Sequence, residues 1–440
     1  MNQEKKGLNI SAKSFVTAII VLFVLMILTY TLTFIIPGGE ISFWKWIASP
    51  ILVLGGEDNV SLIAVLIFLL VIGGVFNCLD KCGVMRYMLD KITHRFGHER
   101  YKLLALVTFF FMAMGSFIGS FEECVPLVPI VCALAIRLGW DALTGLGMSL
   151  LAIGCGFSAG ICNPFTIGVA QELANLPMFS GMWFRVIAFI FVYALLFGFL
   201  FLHAKKIEKP VDLQSENEKF EDNKKMNKAL VLFATIMCIG IAVVLCSVFV
   251  TFLQDYTMII VAITFLLSGL IASKVSGNGG KLIVVFWNGL VSVFPAVFMI
   301  LMANSIKYTL VEGGILDPIL NGAVRIAKTL PGWSVILFIY LIVLAMNFFI
   351  ASGSAKAFLL MPLILPVAEA FGISSQLCII AFAFGDGFSN VFYPTNPVLL
   401  ISLGLGDVSY GKWVKWSWKF QALNILVTSG LLLFGLLIGF

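Results

Sequence analysis

Two adjacent glutamates, Glu122 and Glu123, stand in "GSFIGSFEECVPLVP" (Gly115–Pro129), close to Ser116 and Ser120 and flanked by apolar sequence. A second polar group, Ser352, Ser354 and Lys356, opens "SGSAKAFLLMPLILP" (Ser352–Pro366). Asn163 and Thr166 lie in "GCGFSAGICNPFT" (Gly154–Thr166). Asp386, Ser389, Asn390, Thr395 and Asn396 lie in "GDGFSNVFYPTNP" (Gly385–Pro397). Carboxylates, an ammonium, amides and hydroxyls gathered at glycine- and proline-broken apolar segments suit reversible binding of a small charged solute or a cation. Covalent chemistry is poorly served. The three histidines, His94, His98 and His203, fall in or beside predicted loops, so no Ser–His dyad or His-bound metal is expected at the breaks.

The elements that must position these groups are apolar helices. Of 440 residues, 60% are hydrophobic and 12% charged, with a mean hydropathy of +1.06. Such a composition excludes an ordinary globular domain and predicts an all-α polytopic membrane protein. Apolar runs at 14–36, 60–79, 181–203, 229–252, 333–350 and 420–440 are long enough to cross a bilayer, and about ten to twelve spans are expected in all. Lysines precede the first run and no small-residue cleavage site comes after it, so an uncleaved anchor is expected. Lys5, Lys6 and Lys13, and the later set Lys81, Arg86, Lys91, Arg95, Arg100 and Lys102, belong on the cytoplasmic side by the positive-inside rule. Nine scattered cysteines, Cys78 and Cys82 among them, suggest neither disulfides nor a metal site.

Residues 204–228, with seven lysines and six acids, read as a solvated linker near the midpoint. Five crossings before it would place it outside, whereas its lysines favour the cytoplasm, so its side stays open. On either side of it the sequence repeats. "GFS" at Gly156–Ser158 recurs at Gly387–Ser389, and Asn163-Pro164 recurs at Asn396-Pro397. "GMWFR" (Gly181–Arg185) matches "GKWVK" (Gly411–Lys415), and "CGVMRYML" from Cys82 matches "GGILDPIL" from Gly313. The glutamate run itself aligns with Ser352–Pro366, and every offset lies between 230 and 237 residues. The expected first repeat, 1–203, comprises scaffold helices 14–114, a hairpin 115–139, and a broken helix with its following span, 142–203. The expected second, 229–440, comprises scaffold helices 229–350, a hairpin 351–372, a broken helix 375–400 and a last span 411–440. Duplicated halves with broken hydrophobic segments at matching positions are a pattern of secondary transporters.

Backbone freed by glycine and proline survives at membrane depth only inside protein or along a wet cavity. Half-helix N-termini attract carboxylates, and the carbonyls opposite suit a small cation. Gly156, Ser158, Asn163, Gly387, Ser389 and Asn396 are the candidate Na⁺ donors. Glu122, Glu123 and Asp386 are the ion-coupling candidates, because a charge at the bilayer centre costs about 2.5–3.5 kcal/mol and needs a reason to be there. The plainer alternative pairs a glutamate with Lys356 or Arg137 to hold the fold, with the serines and threonines serving only to satisfy backbone.

The stretches "FEECVPLVPI", "ICNPFTIGVAQELANLPMFSGMWFR", "ASGSAKAFLLMPLILP" and "GDGFSNVFYPTNP" resemble the YfcC-like branch of the C4-dicarboxylate anaerobic carrier family, within the ion transporter superfamily. The resemblance spans nearly the whole chain. It implies two inverted repeats, each with a re-entrant hairpin and a broken helix, a dimerising scaffold and elevator-type motion. It also implies transport of dicarboxylates or of basic amino acids, including arginine–ornithine exchange, across a bacterial cytoplasmic membrane. By the same analogy Ser116, Ser120, Asn163, Thr166, Ser352, Ser354, Thr395 and Asn396 hold substrate carboxylate and Na⁺, although neither hairpin tip carries the Ser-Asn-Thr triplet of sodium-coupled relatives.

The residues themselves favour a substrate with an amino group. The candidate site sets Lys356 against Glu122, Glu123 and Asp386, an excess of acid that attracts an ammonium. Asn390 completes the expected substrate-binding set. The expected carrier is an antiporter or an ion-coupled symporter, with Na⁺ or H⁺ as coupling ion, no covalent cofactor and a homodimeric assembly. A Na⁺- or H⁺-coupled dicarboxylate carrier is the alternative, and a channel is less favoured. "GLGD" (Gly404–Asp407) lacks the Tyr-Asp partner of an aspartyl intramembrane protease, so an enzyme is not expected. Trp44, Trp46, Trp413, Trp416 and Trp418 read as interfacial anchors, and no nucleic-acid partner is indicated.

Overall fold

The computed structural model describes residues 12–56, 59–96, 99–117, 119, 121, 125, 127–209, 223–246, 257–277 and 281–440. Among these every regular element is helical. The first half holds α1 (Ala12–Ile35), α2 (Phe43–Leu52), α3 (Asn59–Lys81), α4 (Val84–Phe96), α5 (Arg100–Phe117) and α6 (Val128–Arg137). It continues with α7 (Ala142–Ala159), α8 (Val169–Leu173) and α9 (Met182–Ile207). The second half holds α10 (Lys224–Cys246), α11 (Thr257–Val275), α12 (Leu282–Ser292), α13 (Phe294–Glu312) and α14 (Leu316–Ala327). It ends with α15 (Gly332–Asn347), α16 (Gly353–Ala370), α17 (Ser375–Asp386), α18 (Pro397–Leu405) and α19 (Tyr410–Leu437).

Seven helices among the described residues are long and apolar enough to cross a bilayer, and five shorter apolar helices accompany them. Interruptions at Gly160–Asn163 and Gly387–Asn396 fall within the two segments expected to be broken helices. Helix α9 continues to Ile207 and α10 begins at Lys224, so both ends of the expected 204–228 linker are helical, and 210–222 lie outside the described residues.

Around the second hairpin the structure departs from expectation. Residues 353–370 are one continuous helix, α16, with Pro362 and Pro366 inside it, and the turn lies earlier, at 348–352. A proline removes one donor and leaves one carbonyl four residues back without a partner. Here that loss is tolerated because packing against α8, α15 and α17 holds the helix. The helices that precede the two expected hairpins, α5 and α15, are ones that the sequence places in the scaffold.

Two apolar cores divide the molecule. The larger gathers α1–α7, α10, α11, α13 and α18 with most of α9 and the start of α19, with residues such as Phe76, Leu104, Phe157 and Val391. The smaller gathers α14–α17 with Ile167 and Ala170 of the α8 region, Phe184 and Ala188 at the start of α9 and Leu432 near the end of α19. The two interrupted helices cross between these cores in opposite senses. The first runs from Phe157 in the larger to Ile167 in the smaller, and the second from Phe388 in the smaller to Val391 in the larger. Both interruptions therefore sit at the seam.

Candidate functional site

At the first interruption, α7 ends on Gly160, whose left-handed φ of 45° suits a residue without Cβ. Asn163 then caps the next helical turn, its Oδ1 accepting from Thr166 N at 3.2 Å. At the second, α17 ends at Asp386, a short 3₁₀ turn covers Phe388–Val391, and Asn396 caps α18 by accepting from Val398 N at 2.9 Å. The two Asn-Pro pairs thus do one local job twice. The asparagine satisfies an orphan N–H, and the proline takes the first helical position, where no N–H is needed.

The interruptions touch directly. Ser158 Oγ lies 3.4 Å from Ala383 O and 3.3 Å from Phe384 O, to which it donates. A Cβ on Gly387 would fall 2.2 Å from Ser158 Cα and N. Gly156 likewise admits Met112 O, so α5 and α7 meet backbone to backbone. Ser116, at the end of α5, accepts from Ile161 N at 2.9 Å through its hydroxyl, while its carbonyl accepts from Cys162 N at 3.1 Å. Its side chain thus satisfies freed backbone, which is the plainer of the two roles considered for it.

The second interruption carries a closed polar network, every member of it buried. Lys356 Nζ donates to Asp386 Oδ1 at 2.5 Å and to Asn347 Oδ1. Asn347 Nδ2 reaches Asp386 O (3.1 Å), Ser389 Oγ (2.6 Å) and Asn390 Oδ1 (3.1 Å). Asn390 Nδ2 donates to Asp386 O at 2.7 Å and Asn396 Nδ2 to Asn390 Oδ1 at 3.0 Å. Lys356 and Asp386 are both fully buried, which is tolerable only because they neutralise and hydrogen-bond each other.

Among the described residues Lys356 pairs with Asp386 of its own half, and Arg137 pairs with Asp90. Ser120, Glu122 and Glu123 lie outside the described residues. The candidate Na⁺ donors also have protein partners: Gly156 O accepts from Gly160 N, Gly387 O from Asn390 N, and Ser389 Oγ donates to Gly385 O. Ser352 caps α16 without a side-chain bond and is exposed, while Ser354 is half-buried.

Three polar atoms of the candidate residues, Thr166 Oγ1, Thr395 Oγ1 and Asp386 Oδ2, are buried with no hydrogen-bond partner among the described residues. Two of these side chains pack against Gly353. A Cβ on Gly353, the first residue of α16, would lie 2.5 Å from Thr166 Cγ2 and 2.7 Å from Asp386 Oδ2. A helix N-terminus, the side chain of Thr166 through its methyl, and a carboxylate oxygen are thus brought together where the halves meet.

Two residues of the site are missed by sequence reasoning. Asn347 is a lone amide at the end of an apolar run, and that isolation is its only signal. Arg185 is fully buried and donates to Ile161 O at 3.2 Å, Ser180 O at 2.8 Å and Phe179 O at 3.1 Å. It ties the first interruption to the loop before α9. An arginine just inside an apolar span is the available sign.

Known proteins share this sequence pattern. The chain is 27% identical over 411 residues to the putative basic amino acid antiporter YfcC of Escherichia coli, covering 88% of this chain and 80% of that protein. It is 23% identical over 390 residues to an uncharacterized Haemophilus influenzae protein, covering 86% and 76%. The crystal structure of the Alcanivorax borkumensis YdaH transporter aligns over 96% of this chain and 99% of that one, at 17% identity and a TM-score of 0.45. The pattern of the C4-dicarboxylate anaerobic carriers matches residues 52–437, and the chain belongs to that family, as a multi-pass membrane protein of a transporter lineage.

Proposed function

We propose that the chain is a secondary active transporter of small amino or carboxylic acids across the cytoplasmic membrane, with an amino acid, preferentially basic, as substrate. The observation that carries this reading is the meeting of two interrupted helices at the seam of two cores, where Asp386 Oδ2, without a hydrogen-bond partner among the described residues, lies beside the N-terminus of α16. A substrate carboxylate suits the helix N-terminus and its serines, and a substrate ammonium suits Asp386 Oδ2. Opposite passage of the interrupted helices between the cores supports inverted repeats, and a binding point on the seam supports relative movement of the two cores around it. The name of the Escherichia coli relative points the same way.

A dicarboxylate is the second reading, favoured by the family description and by two helix N-termini, of α16 and α18, at one network. Pairing of Lys356 with Asp386 leaves Glu122 and Glu123 as the surplus acid, which keeps the preference with the amino acid. Thermal stabilisation of the detergent-solubilised protein by arginine, ornithine, neutral amino acids and succinate, with and without Na⁺, tests it. A ligand at about 100 times its Kd adds roughly 2.7 kcal/mol to stability. Stabilisation by arginine or ornithine is expected; stabilisation by succinate with no amino acid effective would select the dicarboxylate.

A further inference from the structure

The sequence alone leaves Na⁺ as a candidate coupling ion, yet the structure fills the second interruption with a charge of the protein's own. Lys356 stands in the first turn of α16, where the helix dipole disfavours a cation, and Asp386 closes α17, where it disfavours an anion. Each charge is misplaced on its own helix and well placed against the other's. The ammonium lies at the C-terminal end of α17, and Asp386 Oδ2 lies beside Gly353 at the N-terminal end of α16. A pair that only held two helices together could use the reverse, dipole-matched arrangement.

The ligands of the ammonium are those of a hard metal cation. Nζ meets a carboxylate oxygen, Asp386 Oδ1, and an amide oxygen, Asn347 Oδ1. Asn347 is turned that way because its Nδ2 is spent on Asp386 O, Ser389 Oγ and Asn390 Oδ1. Anionic and carbonyl-type oxygens in a fully buried pocket are what a desolvated small cation needs. Here they close on a tethered one. We propose that Lys356 is a built-in counter-cation, holding with its ammonium the oxygen-lined position at the second interruption that a coupling Na⁺ would fill, so that this chain moves its solute without Na⁺. The proposal rests on the transport reading and deepens it. Removing the ammonium leaves Asp386 and Asn347 as an open cation site.

The test compares the parent, Lys356→Ala and Lys356→Ala/Asp386→Asn in NaCl and in choline chloride at equal ionic strength, by thermal unfolding and by L-arginine exchange in proteoliposomes. Parent melting temperature and exchange should be the same in both salts. Lys356→Ala should gain about 2 °C or more, saturably, in Na⁺, and the double variant should gain nothing. Should Lys356→Ala not be recoverable folded, Lys356→Gln takes its place with the same expectations. A parent stabilised by Na⁺ or dependent on it for exchange overturns the proposal, as does a Lys356 variant indifferent to Na⁺. Absence of arginine and succinate exchange by the parent in either salt would instead count against the transport reading, with the melting data still deciding the role of Lys356.

Discussion

Gly387→Ala is the sharpest perturbation of the contact between the interruptions. The φ of Gly387 is −70°, which alanine adopts freely, so no backbone strain is added and the effect is steric. Its new Cβ would lie 2.2 Å from Ser158 Cα and N and 2.4 Å from Ser158 Cβ. These atoms belong to a buried backbone and cannot swing aside. Ordinary carbon contacts require the segments to part by about 1 Å, and overpacking of this kind costs about 1–3 kcal/mol. The same shift lengthens the contacts of Ser158 Oγ with Ala383 O and Phe384 O, now 3.4 and 3.3 Å, beyond hydrogen-bonding range. Melting followed by tryptophan fluorescence should show a clear loss of stability, and exchange in proteoliposomes should fall with it. Gly430→Ala, in α19 with nothing within 4 Å of the added carbon, is the control and should match the parent. A Gly387→Ala protein with parental melting and parental exchange would refute direct contact of the two interruptions.

Single contacts give further expectations. Asn396→Ala loses the α18 cap and the bond to Asn390, so stability should drop by about 1 kcal/mol and transport should fall; Asn396→Ser, which keeps a capping oxygen without adding a charge, should recover part of the stability. Arg185→Leu strips the donors from Ile161 O, Ser180 O and Phe179 O, and each buried acceptor left unsatisfied costs on the order of 1–3 kcal/mol, so its melting temperature should fall well below that of Arg185→Lys. Desolvation pushes the Asp141 carboxyl up, but hydrogen bonds from His203 and Thr144 outweigh it and hold the group below the usual carboxylate range. A depressed folded value stabilises above the unfolded pKa of about 3.9 and is lost as pH falls. Melting of the parent should therefore decline more steeply below pH ~4 than melting of Asp141→Asn.

The interruptions are legible in the sequence because glycine and proline mark backbone that cannot continue a helix, and both Asn-Pro pairs act as local caps whatever surrounds them. Which charges meet is not legible. Alignment places Lys356 opposite Ser120, but correspondence within a repeat does not say which helix ends adjoin. The Lys356–Asp386 pair depends on the N-terminus of α16 lying beside the C-terminus of α17. The second hairpin differs from expectation for a related reason: Pro362 and Pro366 read as breakers, yet neighbouring helices hold α16 continuous through them. Asn347 and Arg185 give only single-letter signals, because one amide or one guanidinium in an apolar run has no spacing to reveal its partners.

Counterflow decides the central claim. Purified protein is reconstituted into liposomes loaded with unlabelled arginine, or with succinate in a parallel set, and given a trace of the labelled compound outside. Carrier transport through one site at the seam predicts saturable uptake with a transient overshoot that vanishes in unloaded vesicles. Flux that rises linearly with concentration, carries ohmic current and shows no acceleration by internal substrate would contradict it.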